Sequence, residues 1–307
     1  MKVLKFGGTS VGSPARIKHV AGLVRRSGRN IVVLSAMSGT TNTLVEIAEY
    51  LHKGNIPGAQ ETVNVLAAKY SQVVYELLSD EASRQAATAA IERSFAIIRS
   101  YFSEPFTEAG EKEILAQGEL VSTALMSAYL SEQGVWVSVL PALDYMRTLP
   151  GGEPDMPHIS ARLHRILEVE GEADVYITQG YICRNATGGI DNLRRGGSDY
   201  TASIIGAVLN AEEIQIWTDI DGMHNNDPRF VEGTSPVGTL HFEEAAELAY
   251  FGAKILHPAC VLPAKLHNIP VRLLNTLEPE APGTLIFNTP PDGAIKAVAA
   301  KDGITAI

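Results

Sequence analysis

Met1-Lys2-Val3-Leu4-Lys5-Phe6-Gly7-Gly8-Thr9-Ser10 opens the chain, and its reading decides how the rest is organised. Val3 to Phe6 carries the β-branched and apolar residues of a short strand around one lysine, and it stops abruptly at two glycines and two hydroxyls. Downstream, Pro14 to Arg26 has apolar residues at Ile17, Val20, Ala21 and Val24, the spacing of one helical face. Ser13 is a reasonable N-cap, with Pro14 at the first helical position. Strand, glycine turn and helix N-terminus together form an arrangement in which backbone N–H groups converge on an anion. The glycines permit close approach, the hydroxyls add donors, and Lys5 adds a point charge that can follow a transferring phosphate. On this stretch alone, a plain tight turn with a solvated lysine stays open. The stretch is not a Walker A loop, because Gly-x-x-x-x-Gly-Lys-Ser/Thr is absent.

Composition narrows the classes. The 307 residues suit one large or two moderate domains, at roughly 100–200 residues per domain. Hydrophobic content of 45% and charged content of 20% allow a full core. A net charge of −10 argues against a nucleic-acid partner, which calls for a basic face, yet leaves room for a local cluster that attracts an anionic ligand. The two cysteines, Cys183 and Cys260, have no metal or disulfide spacing and read as small apolar fillers in a reducing cytosol. With no signal-like start and no run of membrane-spanning length, a cytoplasmic protein with no membrane partner is expected.

Asn30 to Met37 reads as a near-continuous apolar strand, the kind buried on both faces of a parallel sheet. It runs into a hydroxyl-rich turn, Ser35 to Thr43, where ligands gather in open α/β sheets. Ser38 and Thr43 are ligand candidates there, beside the plainer reading of a capping turn. Leu44 to about Leu130 is helical. The glutamates of Thr107 to Leu130 read as a solvated face, except Glu119, which sits among Ile114, Leu115, Leu120, Thr123 and Ala124. Strands are expected at Val135–Leu143 and Asp174–Tyr181, with a helix at Ile159–Val169 between them. Asn192 to Thr201 then packs two arginines, two glycines, Ser198 and Asp199 before a helix of small residues, Ala202 to Leu209. Such a block suits an anion or zwitterion, since arginine holds a carboxylate in two places; a basic loop with Ser198 or Asp199 as N-cap is the alternative. The last third reads as a second α/β unit, with strands at Glu213–Thr218, Ile269–Leu274, Thr284–Phe287 and Ala294–Ala299, a helix at Phe242–Phe251 and a further helix after His257-Pro258. Arg229 and Lys254 are its cations best placed for phosphates.

With these residues in view, the chain resembles the aspartokinase catalytic domain of the amino acid kinase family. The resemblance runs almost end to end, through Lys-Phe-Gly-Gly-Thr-Ser at 5–10, Arg-Gly-Gly-Ser-Asp-Tyr-Thr at 195–201, Trp-Thr-Asp at 217–219, Asp-Pro-Arg at 227–229 and Gly-Ala-Lys-Ile-Leu-His-Pro at 252–258. Each motif is weak to moderate alone; in this order they are specific. Local detail looks most like the kinase portion of bifunctional aspartokinase–homoserine dehydrogenases. The resemblance implies an α/β fold, a three-layer αβα sandwich with a mostly parallel central sheet. It implies an amino-acid lobe at 1–200, a nucleotide lobe at 201–293, and at 294–307 the start of a linker or truncated regulatory region.

The implied reaction moves the γ-phosphoryl of MgATP to the β-carboxylate of L-aspartate, the first step of the biosynthesis of lysine, threonine and methionine. A carboxylate is already a nucleophile at neutral pH, so positioning and charge neutralisation carry the catalysis. This suits a chain rich in Gly, Ser/Thr, Lys and Arg, in which no histidine–acid pair at close spacing stands out. By resemblance, Lys5 contacts the ATP phosphates and Asp199 orients it, while Gly7, Gly8, Thr9 and Ser10 line the phosphate turn. Ser38, Thr43, Glu119, Arg195, Gly196, Gly197 and Ser198 hold aspartate, Arg195 on its α-carboxylate and Glu119 near its ammonium. Thr218, Asp219, Arg229, Lys254 and Ile255 bind nucleotide, with His224 where many relatives carry a tyrosine near adenine. Mg²⁺ is expected on the phosphates, with no protein ligand assigned. A homodimer, or covalently attached C-terminal regulatory domains, is expected. The chain stops at Ile307, where relatives begin regulatory ACT domains, so no lysine or threonine feedback is expected. Two rivals keep the glycine turn: another amino acid kinase acting on glutamate, acetylglutamate, carbamate or a nucleoside monophosphate, and a non-catalytic nucleotide-binding module.

Overall fold

The computed structural model describes residues 1–103, 105–194, 196–226, 231–251, 256–288 and 295–298. Ten strands are found among them: β1 (Lys2–Phe6), β2 (Asn30–Leu34), β3 (Val137–Leu140), β4 (Val175–Gln179), β5 (Ile182–Arg184), β6 (Ile190–Asn192), β7 (Ile214–Thr218), β8 (Thr239–His241), β9 (Val271–Asn275) and β10 (Thr284–Phe287). The helices are α1 (Pro14–Arg26), α2 (Thr40–His52), α3 (Ile56–Leu77), α4 (Glu81–Ser100), α5 (Glu108–Glu132), α6 (Ala142–Tyr145), α7 (Met156–Glu170), α8 (Gly197–Val208), α9 (Phe242–Phe251) and α10 (Leu262–Leu266). Eight strands form one sheet in the order β3-β4-β2-β1-β7-β9-β10-β8. Among its pairings only β9 with β10 is antiparallel. β5 and β6 make a separate antiparallel hairpin.

The expected three-layer sandwich follows from strands that are apolar on both faces. Alternation sends Leu4, Phe6, Val32, Leu34, Val175 and Ile177 into a core shared with α1 to α5. Val3, Ile31, Val33, Tyr176, Ile214 and Ile216 enter a second core, closed by α6, α7, α8 and α9. β1 lies between β2 and β7, with Lys5 level with Val33 and Ile216. Its glycine turn therefore leaves the middle of the sheet, at the carboxyl ends of its parallel neighbours.

Several boundaries differ from expectation, each for a local reason. β2 ends at Leu34 rather than Met37, because β1 runs out at Phe6 and the next N–H groups go elsewhere. Ser35 N–H still reaches Phe6 O, while Ala36 N–H turns to the Glu119 carboxylate. β3 is shorter than Val135–Leu143, since Pro141 cannot donate to a ladder and Ala142 begins a helical turn. α8 starts at Gly197 instead of Ala202, so Ser198 and Asp199 sit in its first turn and Gly196 is the N-cap. The expected strand at 294–299 is not formed over 295–298, where Val298 N–H instead bonds Asn225 O at 2.8 Å. The β5–β6 hairpin and β8 are only three-residue strands and carry too little pattern to be read.

Candidate active site

Lys5 owes its direction to the strand period. Leu4 and Phe6 face the α1–α5 layer, so Val3 and Lys5 face α8. There its Nζ lies 2.7 Å from Asp199 Oδ1, and each side chain keeps only 12% of its exposure. This contact is an ion pair without hydrogen-bond alignment. Asp199 stands in the first turn of α8, where the helix dipole favours an anion. Behind the pair, Cys260 Sγ donates to Gly196 O at 3.2 Å. Burial pushes the thiols of both Cys260 and Cys183 up to about 12, which leaves them the inert fillers expected from their spacing.

The glycine turn is stitched to its neighbours through backbone. Gly7 N–H donates to Trp217 O, and Ser38 N–H donates to Gly8 O at 3.1 Å. A Cβ on Gly8 would stand 2.7 Å from Ala36 O, so the two loops approach this closely only because Gly8 has none. Thr9 O accepts from Arg16 Nη1. Ser10 points away from the turn: it is buried, with Oγ 2.7 Å from Thr276 Oγ1 beyond the end of β9.

The helix ends free to receive an anion are not the one first suggested. α1 is closed by its own Ser13, which accepts from Arg16 N–H. α3, α4, α5 and α7 are likewise capped by Asn55, Asp80, Thr107 and Asp155. α2 and α8 carry no side-chain cap. Each begins after a left-handed glycine, Gly39 at φ 83° and Gly196 at φ 71°. Both open on one cleft of about 950 Å³, whose lining includes Lys5, Gly8, Thr9, Ser38, Thr41, Asn42, Glu119, Tyr181, Gly197, Ser198 and Asp199. First-turn N–H groups without a protein partner are an anion's natural ligands.

Glu119 projects from α5 into this cleft while 4% exposed. Gly118 makes its approach possible, since a Cβ there would lie 2.9 Å from Ala36 Cβ. Oε1 accepts from Ala36 N–H at 3.2 Å, whereas Oε2 is buried without a partner. Burial pushes the carboxyl up from 4.5 to about 8, against the smaller opposing effect of the Ala36 hydrogen bond. A half-satisfied buried carboxylate is costly unless a cation completes it.

The remaining candidates divide. Ser38 and Ser198 line the cleft, but the Thr43 hydroxyl turns back to Gly39 O at 3.1 Å, and Thr41 and Asn42 face the cleft near it. Thr218 Oγ1 donates to Asp219 Oδ1 at the carboxyl end of β7. The His224 ring is held between Asp221 Oδ1 at 2.6 Å and Thr234 Oγ1 at 2.9 Å. That contact corrects the expectation of no close histidine–acid pair: Asp221 and His224 are three apart, on a turn that brings them together. Arg195, Arg229, Lys254 and Ile255 lie outside the described residues. Tyr181 is a cleft residue that pattern reading missed, because its position depends on an unusual turn rather than on a period. Among the described residues no group of three or more His, Cys, Asp or Glu side chains could hold a metal ion. No helix among them is long and apolar enough to cross a membrane.

Comparison with known proteins adds an independent line. Residues 1–275 match the amino acid kinase family. Aspartokinase 1, chloroplastic, of Arabidopsis thaliana is 35% identical over 94% of this chain and 52% of its own length. A chloroplastic bifunctional aspartokinase/homoserine dehydrogenase 1 of Zea mays is 32% identical over 99% of this chain and 35% of its own. The crystal structure of E. coli aspartokinase III in complex with aspartate and ADP superposes with a TM-score of 0.83 at 33% identity, covering 95% of this chain and 65% of that one. The chain thus spans less than two thirds of the length of each of these proteins.

Proposed function

The chain belongs to the amino acid kinase family, and on that premise we propose that it is an aspartate kinase, moving the γ-phosphoryl of MgATP to the β-carboxylate of L-aspartate. The observation that carries the reading is the charge pattern of one cleft. A buried Lys5–Asp199 pair stands at one side, a half-satisfied Glu119 at another, and two uncapped helix N-termini open between them. An amino dicarboxylate matches this pattern group for group. Its ammonium completes Glu119 Oε2, and its carboxylates meet the N-termini of α2 and α8, with Ser38 and Ser198 as added donors. Similarity to an aspartokinase bound to aspartate and ADP supports the same assignment.

The acceptor carboxylate attacks the terminal phosphorus directly and needs no base. The protein's work is therefore to align two anions and offset the charge that builds between them. Lys5 does the second, and Asp199 fixes where its Nζ stands. The turn at Gly8 and Thr9, both on the cleft wall, offers its backbone to the transferring group at close range. Mg²⁺ arrives as part of the nucleotide substrate, carried on phosphate oxygens. Thr218, Asp219 and His224, together with Arg229, Lys254 and Ile255, are assigned to the nucleotide, and Arg195 to the α-carboxylate, on resemblance. In this reading residues 1–200 serve the amino acid and residues 201–293 the nucleotide.

An ATP-dependent hydroxamate assay over a panel of acceptors tests the proposal. Aspartate is expected to give the largest kcat/KM. Preference for glutamate or acetylglutamate would reassign the chain within its family. Nucleotide binding with no acceptor turned over would make it a non-catalytic module.

A further inference from the structure

Tyr181 stands where the chain leaves β4, in a backbone conformation that suits glycine. Its φ is +67°, and Ile182 N–H closes on Gly180 O at 2.7 Å, so Gly180-Tyr181-Ile182 is a γ-turn of the rare, strained sense. A bulky side chain there is an outlier that persists only when its surroundings hold it. They do so from two sides: Tyr181 N–H donates to Thr201 Oγ1 at 3.1 Å, and Tyr181 O accepts from Leu193 N–H at 2.8 Å. The ring lies against the first turn of α8, where a Cβ on Gly197 would come within 2.8 Å of Cδ2. The turn thereby aims an aromatic ring into the cleft that also holds Glu119. Its hydroxyl makes no hydrogen bond among the described residues.

We infer that Tyr181 is a substrate-contacting, specificity-determining residue, whose phenol donates a hydrogen bond to the α-carboxylate of the amino-acid acceptor. This rests on the aspartate kinase reading above. The choice of carboxylate follows from connectivity: the α-carboxylate shares a carbon with the ammonium that Glu119 takes, whereas the β-carboxylate has to reach toward Lys5. Burial, and then the charge of Glu119, push the phenol up to about 12, so it keeps its proton and acts as a donor at neutral pH. A phenylalanine would fill the same space without that donor, and a glycine would take the turn without strain. The sequence uses neither.

Tyr181→Phe tests the donor alone. The KM for aspartate is expected to rise about tenfold or more, as for loss of a hydrogen bond to a charged group, while kcat and the KM for ATP stay within about twofold. With the α-amide of aspartate as acceptor, which removes the α-carboxylate charge, the variant and the parent are expected to differ much less. An unchanged aspartate KM in Tyr181→Phe overturns the contact, and an equal loss on the α-amide overturns its assignment to the α-carboxylate. Parent turnover of aspartate is measured in the same series. Its absence would mean failure of the kinase reading itself, distinguishable from failure of Tyr181 alone. Tyr181→Leu, which stays apolar but loses the ring, is expected to behave as Tyr181→Phe or worse; recovery of the parent KM in it would also overturn the inference.

Discussion

Lys5 and Glu119 show how much of this cleft rests on single charges taken out of water. Lys5 has to stay a cation with little exposure, and Asp199 at 2.7 Å supplies the counter-charge that makes this tolerable. Lys5→Ala should therefore lower kcat on the order of 10²-fold or more, the cost of removing an electrostatic transition-state contact. Calorimetric titration should still detect aspartate in that variant, since its ammonium and α-carboxylate are held elsewhere; near-normal turnover would remove Lys5 from the mechanism. Glu119 has the opposite difficulty. Its carboxyl, pushed from 4.5 to about 8 by burial, holds a proton in the folded state that the unfolded chain has released. With more protons bound when folded, the stability it contributes is present below about 4.5 and is lost as pH rises towards about 8. Glu119→Gln should accordingly raise the ligand-free melting temperature at pH 8 and change it little at pH 5. A ligand ammonium favours the ionised carboxylate, so the KM for aspartate should climb as pH falls below about 8. A pH-independent KM in the parent, or an equal thermal effect of Glu119→Gln at both pH values, would contradict this account.

At the scale of elements, the sheet was legible because it depends on periods and composition. Val3–Phe6, Asn30–Met37 and Asp174–Tyr181 read as strands, the second as buried on both faces, and they became β1, β2 and β4, neighbours in the sheet. The glycine turn and the Arg195–Thr201 block were visible as clusters of residues with no packing reason to be together. What stayed hidden depends on close approaches between segments distant in sequence. Nothing in Gly118 announces that it lets α5 press on Ala36, and nothing before the fold reveals that α1 caps itself while α2 and α8 do not. Gly180 belongs to this hidden class. A Cβ there would stand 2.6 Å from both Cβ and Oγ of Ser198, forcing the start of α8 away from the end of β4. Gly180→Ala should cost about 1–3 kcal/mol, as overpacking does, read from the denaturant midpoint, and should raise the aspartate KM more than the ATP KM. Gly151→Ala, with no heavy atom within 4 Å of its new methyl, is the silent control. Equal effects at the two glycines would show that crowding at Ser198 does not position α8.

Among the described residues the main sheet has eight strands with β1 inside it, and the proposed function gives the two sides of β1 different work. On one side of β1 lie β2, β4 and β3, all drawn from the first 180 residues; on the other lie β7, β9, β10 and β8, all from residues beyond 210. The α2 and α8 N-termini, Glu119 and Tyr181 gather over the first side, whereas Thr218, Asp219 and His224 follow β7 on the second. Such a division would let each substrate order its own loops before Lys5, on the strand between them, joins the two. Amide hydrogen exchange separates the sides directly. L-Aspartate alone should slow exchange at residues 36–42 and 196–199 and leave 218–224 unchanged. A non-hydrolysable ATP analogue with Mg²⁺ should slow 218–224 and the 7–10 turn, and only the two together should protect every segment. If the nucleotide analogue alone protected 36–42 while 218–224 exchanged as before, the division would fail, and the candidate cleft would have to be reassigned to phosphate rather than to the amino acid.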